Sequence, residues 1–150
     1  MEKHLEKQKK RLFIDMDGVL VDFDSGVRKS SPGILLFYEG EYDNVPHIFS
    51  IMDPIPGAIE AFKCLQEKYD VYILTTAPWA NESALQDKKD WLKKYLGDSI
   101  RKRVIFTHRK DFVSGDYLID DRVVHGFQGR QLLFGSEEYP DWDAILKELM

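Results

Sequence analysis

Four short polar clusters in this chain each follow an apolar run. Asp15-Met16-Asp17-Gly18 follows Leu12-Phe13-Ile14, and Thr75-Thr76 follows Val71-Tyr72-Ile73-Leu74. Thr107-His108-Arg109-Lys110 follows Val104-Ile105-Phe106, and Asp120-Asp121-Arg122 follows Tyr117-Leu118-Ile119. If the runs are neighbouring strands, their polar followers meet on one rim, where open parallel sheets bind ligands. Carboxylates gathered there repel: at about 4 Å two like charges cost roughly 4 kcal/mol at an effective dielectric near ~20. A divalent cation relieves that cost, and an all-oxygen donor set points to Mg²⁺. With the cation and Lys110 in place, the rim attracts a phosphate dianion. A carboxylate such as Asp15 can then attack phosphorus and form an aspartyl-phosphate. Asp17, turned by Gly18 toward the leaving group, can serve as general acid and afterwards as base for water. The Thr75 hydroxyl can bond a phosphoryl oxygen, and Lys110 can neutralise charge on the transferring group.

The elements that must hold these residues can also be read. Continuous apolar runs of this length suit strands buried on both faces. A fifth run, Gln131-Leu132-Leu133-Phe134, matches the other four. Helical spacing joins Ile59, Phe62, Leu65 and Tyr69, and a second stripe joins Leu85, Lys88 by its stem, Trp91, Leu92, Tyr95 and Leu96. Asn81 is the expected N-cap of that second helix and Gly97 its stop. A last helix is expected from Asp141, burying Trp142, Ile145, Leu146 and Leu149. Strands alternating with helices predict an α/β fold with a doubly wound parallel sheet and right-handed crossovers. The stretch 24–53 breaks the alternation with several prolines and glycines and with Phe37, Tyr38, Tyr42 and Phe49. So long a connection inside a compact domain is usually functional. It reads as a small cap with its own aromatic core, inserted in a single domain spanning 1–150, after a solvated lead-in over 1–10.

The residues carry a family likeness. Asp15-Met16-Asp17-Gly18-Val19-Leu20 resembles the first motif of the haloacid dehalogenase superfamily of phosphatases, a Rossmann-like fold, and Thr75, Lys110 and Asp120-Asp121 fall in the order of its later motifs. More narrowly, the stretches 17–23, 54–58, 73–78 and 118–122 resemble the 5′(3′)-deoxyribonucleotidases. The resemblance runs from about Leu12 to Phe134 and is weakest over 24–53, where the cap is shorter than in those nucleotidases. It implies Asp15 as nucleophile and Asp17 as acid/base. It implies Mg²⁺ held by the Asp15 carboxylate, the Asp17 carbonyl and Asp121, with Asp120 beside them and able to exchange roles with Asp121. Thr75, Thr76, Lys110 and Lys88 would hold phosphate, and Phe23 would stack near a nucleobase. The implied substrate is a nucleoside monophosphate. Another small phosphoester, such as a sugar phosphate, is the alternative within the enzyme class. A phospho-accepting signalling receiver is the alternative outside it, although a receiver orders its acidic residues differently.

Composition bounds the rest. The 150 residues carry 21 Lys and Arg against 26 Asp and Glu, a net charge of −5 that disfavours binding to polymeric nucleic acid or an anionic membrane. One cysteine allows no internal disulfide, and Cys64 on its helix reads as a small core residue. No secretory or membrane-spanning run is present, so the cytoplasm is the expected address. Arg109, His108 and His125 read as surface residues, Asp22 as a loop residue and Asp24 as a helix cap.

Overall fold

The computed structural model describes residues 8–150. Of the expected lead-in, 1–7 lie outside the described residues, while 8–10 are exposed and carry no helix or strand. Arg11–Ile14 forms strand β1, and its Leu12, Phe13 and Ile14 are buried on both faces, as the apolar run predicts. It lies at the centre of a sheet with β4 (Asp70–Thr75), β5 (Val104–Phe106), β6 (Ser114–Asp120) and β7 (Gln128–Leu133), in the order β5-β4-β1-β6-β7. Every pairing in this sheet is parallel, with Phe13 between Tyr72 and Leu118. The chain winds from β1 outward to β5, then jumps across to β6. The switch point therefore falls beside β1, where a ligand site is expected.

Alternate strand residues face opposite sides, and the two sides are covered differently. Leu12, Ile14, Val71, Ile73 and Ile119 join one large core with α3 (Ala58–Lys68), α4 (Ala84–Leu96) and α5 (Trp142–Leu149). Phe13, Leu74 and Leu118 face the other way and are covered by Val113, Val124 and Phe127 from connecting loops. The crossovers on that second face contain no α-helix: residues 107–113 and 121–127 do the work in loops and one short 3₁₀ turn. The parallel α/β core stands as predicted, with its helices gathered on one face.

The segment after β1 leaves the sheet through β2 (Val21–Asp22), which pairs antiparallel with β3 (Asp53–Pro54). Between them lie α1 (Phe23–Lys29), α2 (Pro32–Phe37) and two 3₁₀ turns at Tyr42–Asn44 and Ile48–Ser50. Its aromatics do not form a separate core. Phe37 is 81% exposed, whereas Val45, Ile48, Phe49 and Met52 merge with the main core under the sheet. Trp91 of α4 ties the segment down by donating from Nε1 to the Met52 carbonyl at 2.9 Å.

Four smaller expectations need correction. Asp22, not Asp24, caps α1, accepting from the Ser25 N–H at 3.3 Å. Helix α4 begins at Ala84 with Ser83, not Asn81, at its N-cap; Asn81 Oδ1 accepts the Ser83 N–H at 3.1 Å in the turn before it, and its Nδ2 donates to the carbonyls of Asp43 and Val45. Leu85, in the first turn of α4, is exposed rather than part of its buried stripe. Cys64 is exposed, since its position on α3 faces away from the buried Ala61, Phe62 and Leu65.

Candidate active site

The turn that follows β1 is wound on a single carbonyl. Met16 O accepts the N–H groups of Val19, Leu20 and Val21 at 3.1, 2.8 and 2.9 Å, and Gly18 N–H returns to Val21 O at 2.9 Å. Gly18 adopts φ +78°, a left-handed conformation that a side chain disfavours. A Cβ there would also meet Asp121 Oδ2 at 2.2 Å, so the turn and the β6 terminus approach as closely as glycine allows. Trp142 of α5 braces the turn from below, donating to the Val19 carbonyl at 2.8 Å. Asp15 is fixed by its backbone N–H on Ile119 O at 2.9 Å, which places its side chain beside the end of β6.

On this rim Asp15, Asp120 and Asp121 each present an oxygen, all within 4.8 Å of one another. Lys110 bridges two of them, with Nζ 2.8 Å from Asp15 Oδ1 and 2.7 Å from Asp120 Oδ2. Asp120 also accepts the Arg122 N–H at 3.0 Å. Burial is the strongest influence on Asp15 and pushes its carboxyl up to about 8; Lys110 pulls it back, and the charges of Asp120 and Asp17 add to the rise. Asp121 is raised for the same leading reason, with Asp120 adding to it. Lys110 moves up as well: burial opposes its charge, but Asp15 and Asp120 together outweigh that. One ammonium thus contacts only two of three crowded acids. The arrangement is short of positive charge, and hard oxygen donors at this spacing fit a hard divalent cation.

A cavity of about 620 Å³ opens on the acids, lined also by Asp17, Phe23, Tyr42, Thr76, Pro78 and Arg122. The sequence-predicted residues reach it unequally. Asp15, Asp17, Phe23, Thr76, Lys110, Asp120 and Asp121 all line it. Phe23 additionally packs on Phe49, with centroids 6.0 Å apart, so it is a cavity wall and a core contact at once. Thr76 donates its hydroxyl to Thr107 O at 2.7 Å. Thr75 is fully buried and accepts from Lys88, while Lys88 is fully buried with protein partners on every N–H. Neither lines the cavity. Arg109 is exposed, as expected, and paired with Asp111 at 2.9 and 2.7 Å. Tyr42, Asp43 and Arg122 were not singled out for the site. Arg122 adjoins the acidic pair and could have been; Tyr42 and Asp43 depend on how the segment 23–53 folds back, which no local pattern reveals.

A parallel sheet with acids after its first and fourth long strands, a lysine between, and an insertion after the first strand is the architecture of HAD-type hydrolases. A Bacillus subtilis HAD-hydrolase, solved bound to magnesium, superposes with a TM-score of 0.60, covering 95% of this chain and 99% of that one at 12% identity, a likeness of fold alone. The family model described as "5′ nucleotidase, deoxy (Pyrimidine), cytosolic type C protein" matches residues 38–142. A Vibrio phage KVP40 protein assigned by name as a 5′(3′)-deoxyribonucleotidase is 47% identical over 141 residues, 92% of this chain and 83% of that one. The human cytosolic-type 5′(3′)-deoxyribonucleotidase is 28% identical over 166 residues, covering 91% of this chain and 78% of its own length. This chain belongs to the 5′(3′)-deoxyribonucleotidase family. With that, the signalling-receiver alternative falls away. Among the described residues no helix is long and apolar enough to cross a membrane.

Proposed function

We propose that this protein is a Mg²⁺-dependent phosphomonoesterase that removes phosphate from nucleoside monophosphates, deoxyribonucleotides foremost. The observation that carries the reading is the triple of Asp15, Asp120 and Asp121 oxygens within 4.8 Å, the first two bridged by Lys110, lining a cavity with Phe23 on its wall. Asp15 is the nucleophile. Its carboxylate forms the new bond to phosphorus as the nucleoside oxygen departs, and Asp17 gives that oxygen a proton. Asp17 then takes a proton from water as the water oxygen attacks phosphorus and the bond to Asp15 breaks. Lys110 holds Asp15 in line and offsets charge on the phosphoryl oxygens. The metal would be held by the carboxylates of Asp15 and Asp121 and the Asp17 carbonyl, with Asp120 adjacent; bound there it shields phosphate from the acids. Thr76 and its backbone border the phosphate position, and Phe23 and Tyr42 offer aromatic faces to a base. The segment 24–53 acts as a small cap, and neither polymeric nucleic acid nor a membrane is a partner.

The test is phosphate release from a panel of nucleoside, deoxynucleoside and sugar monophosphates, with and without EDTA. Deoxynucleotides should head the kcat/KM ranking, EDTA should abolish turnover, and Asp15→Asn should be inactive. Retained activity in Asp15→Asn sinks the mechanism; a sugar phosphate at the head of the ranking sinks the substrate assignment.

A further inference from the structure

The two lysines near the site are employed differently. Lys110 is partly open and faces the cavity, whereas Lys88 has no exposed side-chain surface at all. Its Nζ lies 2.8 Å from Asp17 Oδ2, 3.0 Å from Thr75 Oγ1 and 2.7 Å from Thr76 O. An ammonium has three N–H donors, so these partners exhaust it. Below it lies the Phe49 ring, whose centroid is 4.7 Å from Nζ. Phe49 is itself buried and comes from the segment that follows the site's first turn. Asp17 shows the complementary pattern: Oδ2 is taken by Lys88, while Oδ1 is enclosed and has no hydrogen-bond partner. A buried carboxylate oxygen left unpartnered is costly, and a catalytic role is one recognised reason for a fold to keep it.

We infer that Lys88 is a positioning residue for Asp17 rather than a phosphate ligand: by holding Oδ2 it sets the torsion of a carboxylate whose Oδ1 is walled in, and so fixes the aim of the acid that exchanges a proton with the leaving group. This rests on the acid/base reading of Asp17 given above. Each reacting acid then has its own lysine, Lys110 for Asp15 and Lys88 for Asp17. Lys88 also links that acid to the cap, because its ammonium lies over the Phe49 ring. The attack of Asp15, the departure of the nucleoside oxygen and the proton it receives from Asp17 are unchanged. The aim of that proton, and of the one Asp17 later takes from water, depends on Lys88.

Leaving-group dependence tests this. A nucleoside alkoxide needs the proton from Asp17, whereas p-nitrophenolate departs without it. Lys88→Met keeps the stem over Phe49 and removes the cation. For a deoxynucleoside monophosphate its kcat should fall by about 100-fold, the scale of losing general acid catalysis, with KM held within about twofold. For p-nitrophenyl phosphate, release of p-nitrophenolate in the first turnover, which precedes the attack of water, should slow by less than about fivefold, and inhibition by inorganic phosphate should not weaken. A parallel rise in KM and in the phosphate inhibition constant for both substrates would make Lys88 a phosphate ligand and overturn the inference. Equal loss of the first-turnover rate on both substrates would reduce it to a structural role and do the same. Because Lys88→Met leaves Asp17 half-buried without its partner and can unfold, the pair Asp17→Asn and Asp17→Asn with Lys88→Met provides a second arm without an unpaired anion. If Lys88 works through Asp17, the double variant turns over p-nitrophenyl phosphate within about twofold of Asp17→Asn, since residues acting as a unit are non-additive. A further loss of about tenfold or more refutes it. Asp15→Asn run alongside separates the cases: its retained activity would condemn the whole mechanism, not Lys88 alone.

Discussion

Gly18→Ala should weaken the metal site while leaving the fold nearly intact. The new Cβ would sit 2.2 Å from Asp121 Oδ2 and 2.9 Å from its Cγ, and φ at this position is +78°. Placing alanine in the left-handed region costs about 1–2 kcal/mol. The clash is with the free end of a side chain, so it is relieved by moving the Asp121 carboxylate by roughly 1 Å to reach ordinary contact. A metal ligand tolerates only about 0.2 Å of such displacement, so Asp121 drops out of coordination rather than adjusting within it. The expected consequence is an apparent Mg²⁺ affinity lower by about 10–100-fold, the range seen when support for a ligand is lost. The thermal midpoint should fall by only about 3–8 °C in a chain of this size. Phosphate release titrated with Mg²⁺, beside a thermal melt in EDTA, reads both quantities. Gly33→Ala is the control, because a Cβ at that helical position meets nothing within 4 Å. A Gly18→Ala enzyme with the parent's Mg²⁺ dependence would refute both the proximity of the first turn to Asp121 and the role given to that acid.

Two further outcomes are expected. The folded protein holds Asp15 protonated up to about 8, well above the ordinary carboxylate, so its ionisation works against the fold progressively as pH climbs toward that value. Asp121 shifts in the same direction, while Lys110 stays charged in folded and unfolded chains across this window. In EDTA the thermal midpoint should therefore drop between pH 5 and pH 8, and Mg²⁺ should restore more at pH 8 than at pH 5; a midpoint indifferent to pH and metal alike contradicts the crowding of acids. Asn81→Ala removes the Nδ2 donor shared by the Asp43 and Val45 carbonyls, at 2.9 and 3.1 Å, and should cost about 1–3 kcal/mol. Because Tyr42 and Asp43 line the cavity, KM for a nucleotide should rise more than KM for p-nitrophenyl phosphate; equal rises would deny that this wall touches the nucleoside.

Much of this molecule could be read in advance because its signals are local. Each buried strand is a continuous apolar run, and each run is punctuated by the polar residues that parallel topology then gathers on one rim. Asp15, Lys110, Asp120 and Asp121 thus meet because of where their strands end, not because of any spacing between them. What escaped reading depends on contacts far apart in sequence. Asn81 looks like a helix cap, but its Nδ2 holds the carbonyls of Val45 and Asp43, 36 and 38 positions away, and the helix starts later. Lys88 looks like one more lysine on an amphipathic helix, and its pairing with Asp17 spans 71 positions. Leu85 fits a helical stripe by spacing and Cys64 sits among apolar neighbours, but both lie outside the buried face of their helices. The missing helices on the second face were equally invisible, since two loops carrying Val113 and, further on, Val124 and Phe127 cover Phe13 and Leu118 as helices would.

The central claim is a covalent bond between phosphorus and Asp15, and trapping it is the direct test. The enzyme is mixed with a deoxynucleoside monophosphate and Mg²⁺, quenched in acid within a turnover, and digested for mass spectrometry. The account predicts a phosphoryl adduct on the peptide containing Asp15, discharged by hydroxylamine and absent when EDTA is added first. An unmodified Asp15 peptide from an enzyme that is turning over, or an adduct on any other residue, would contradict it.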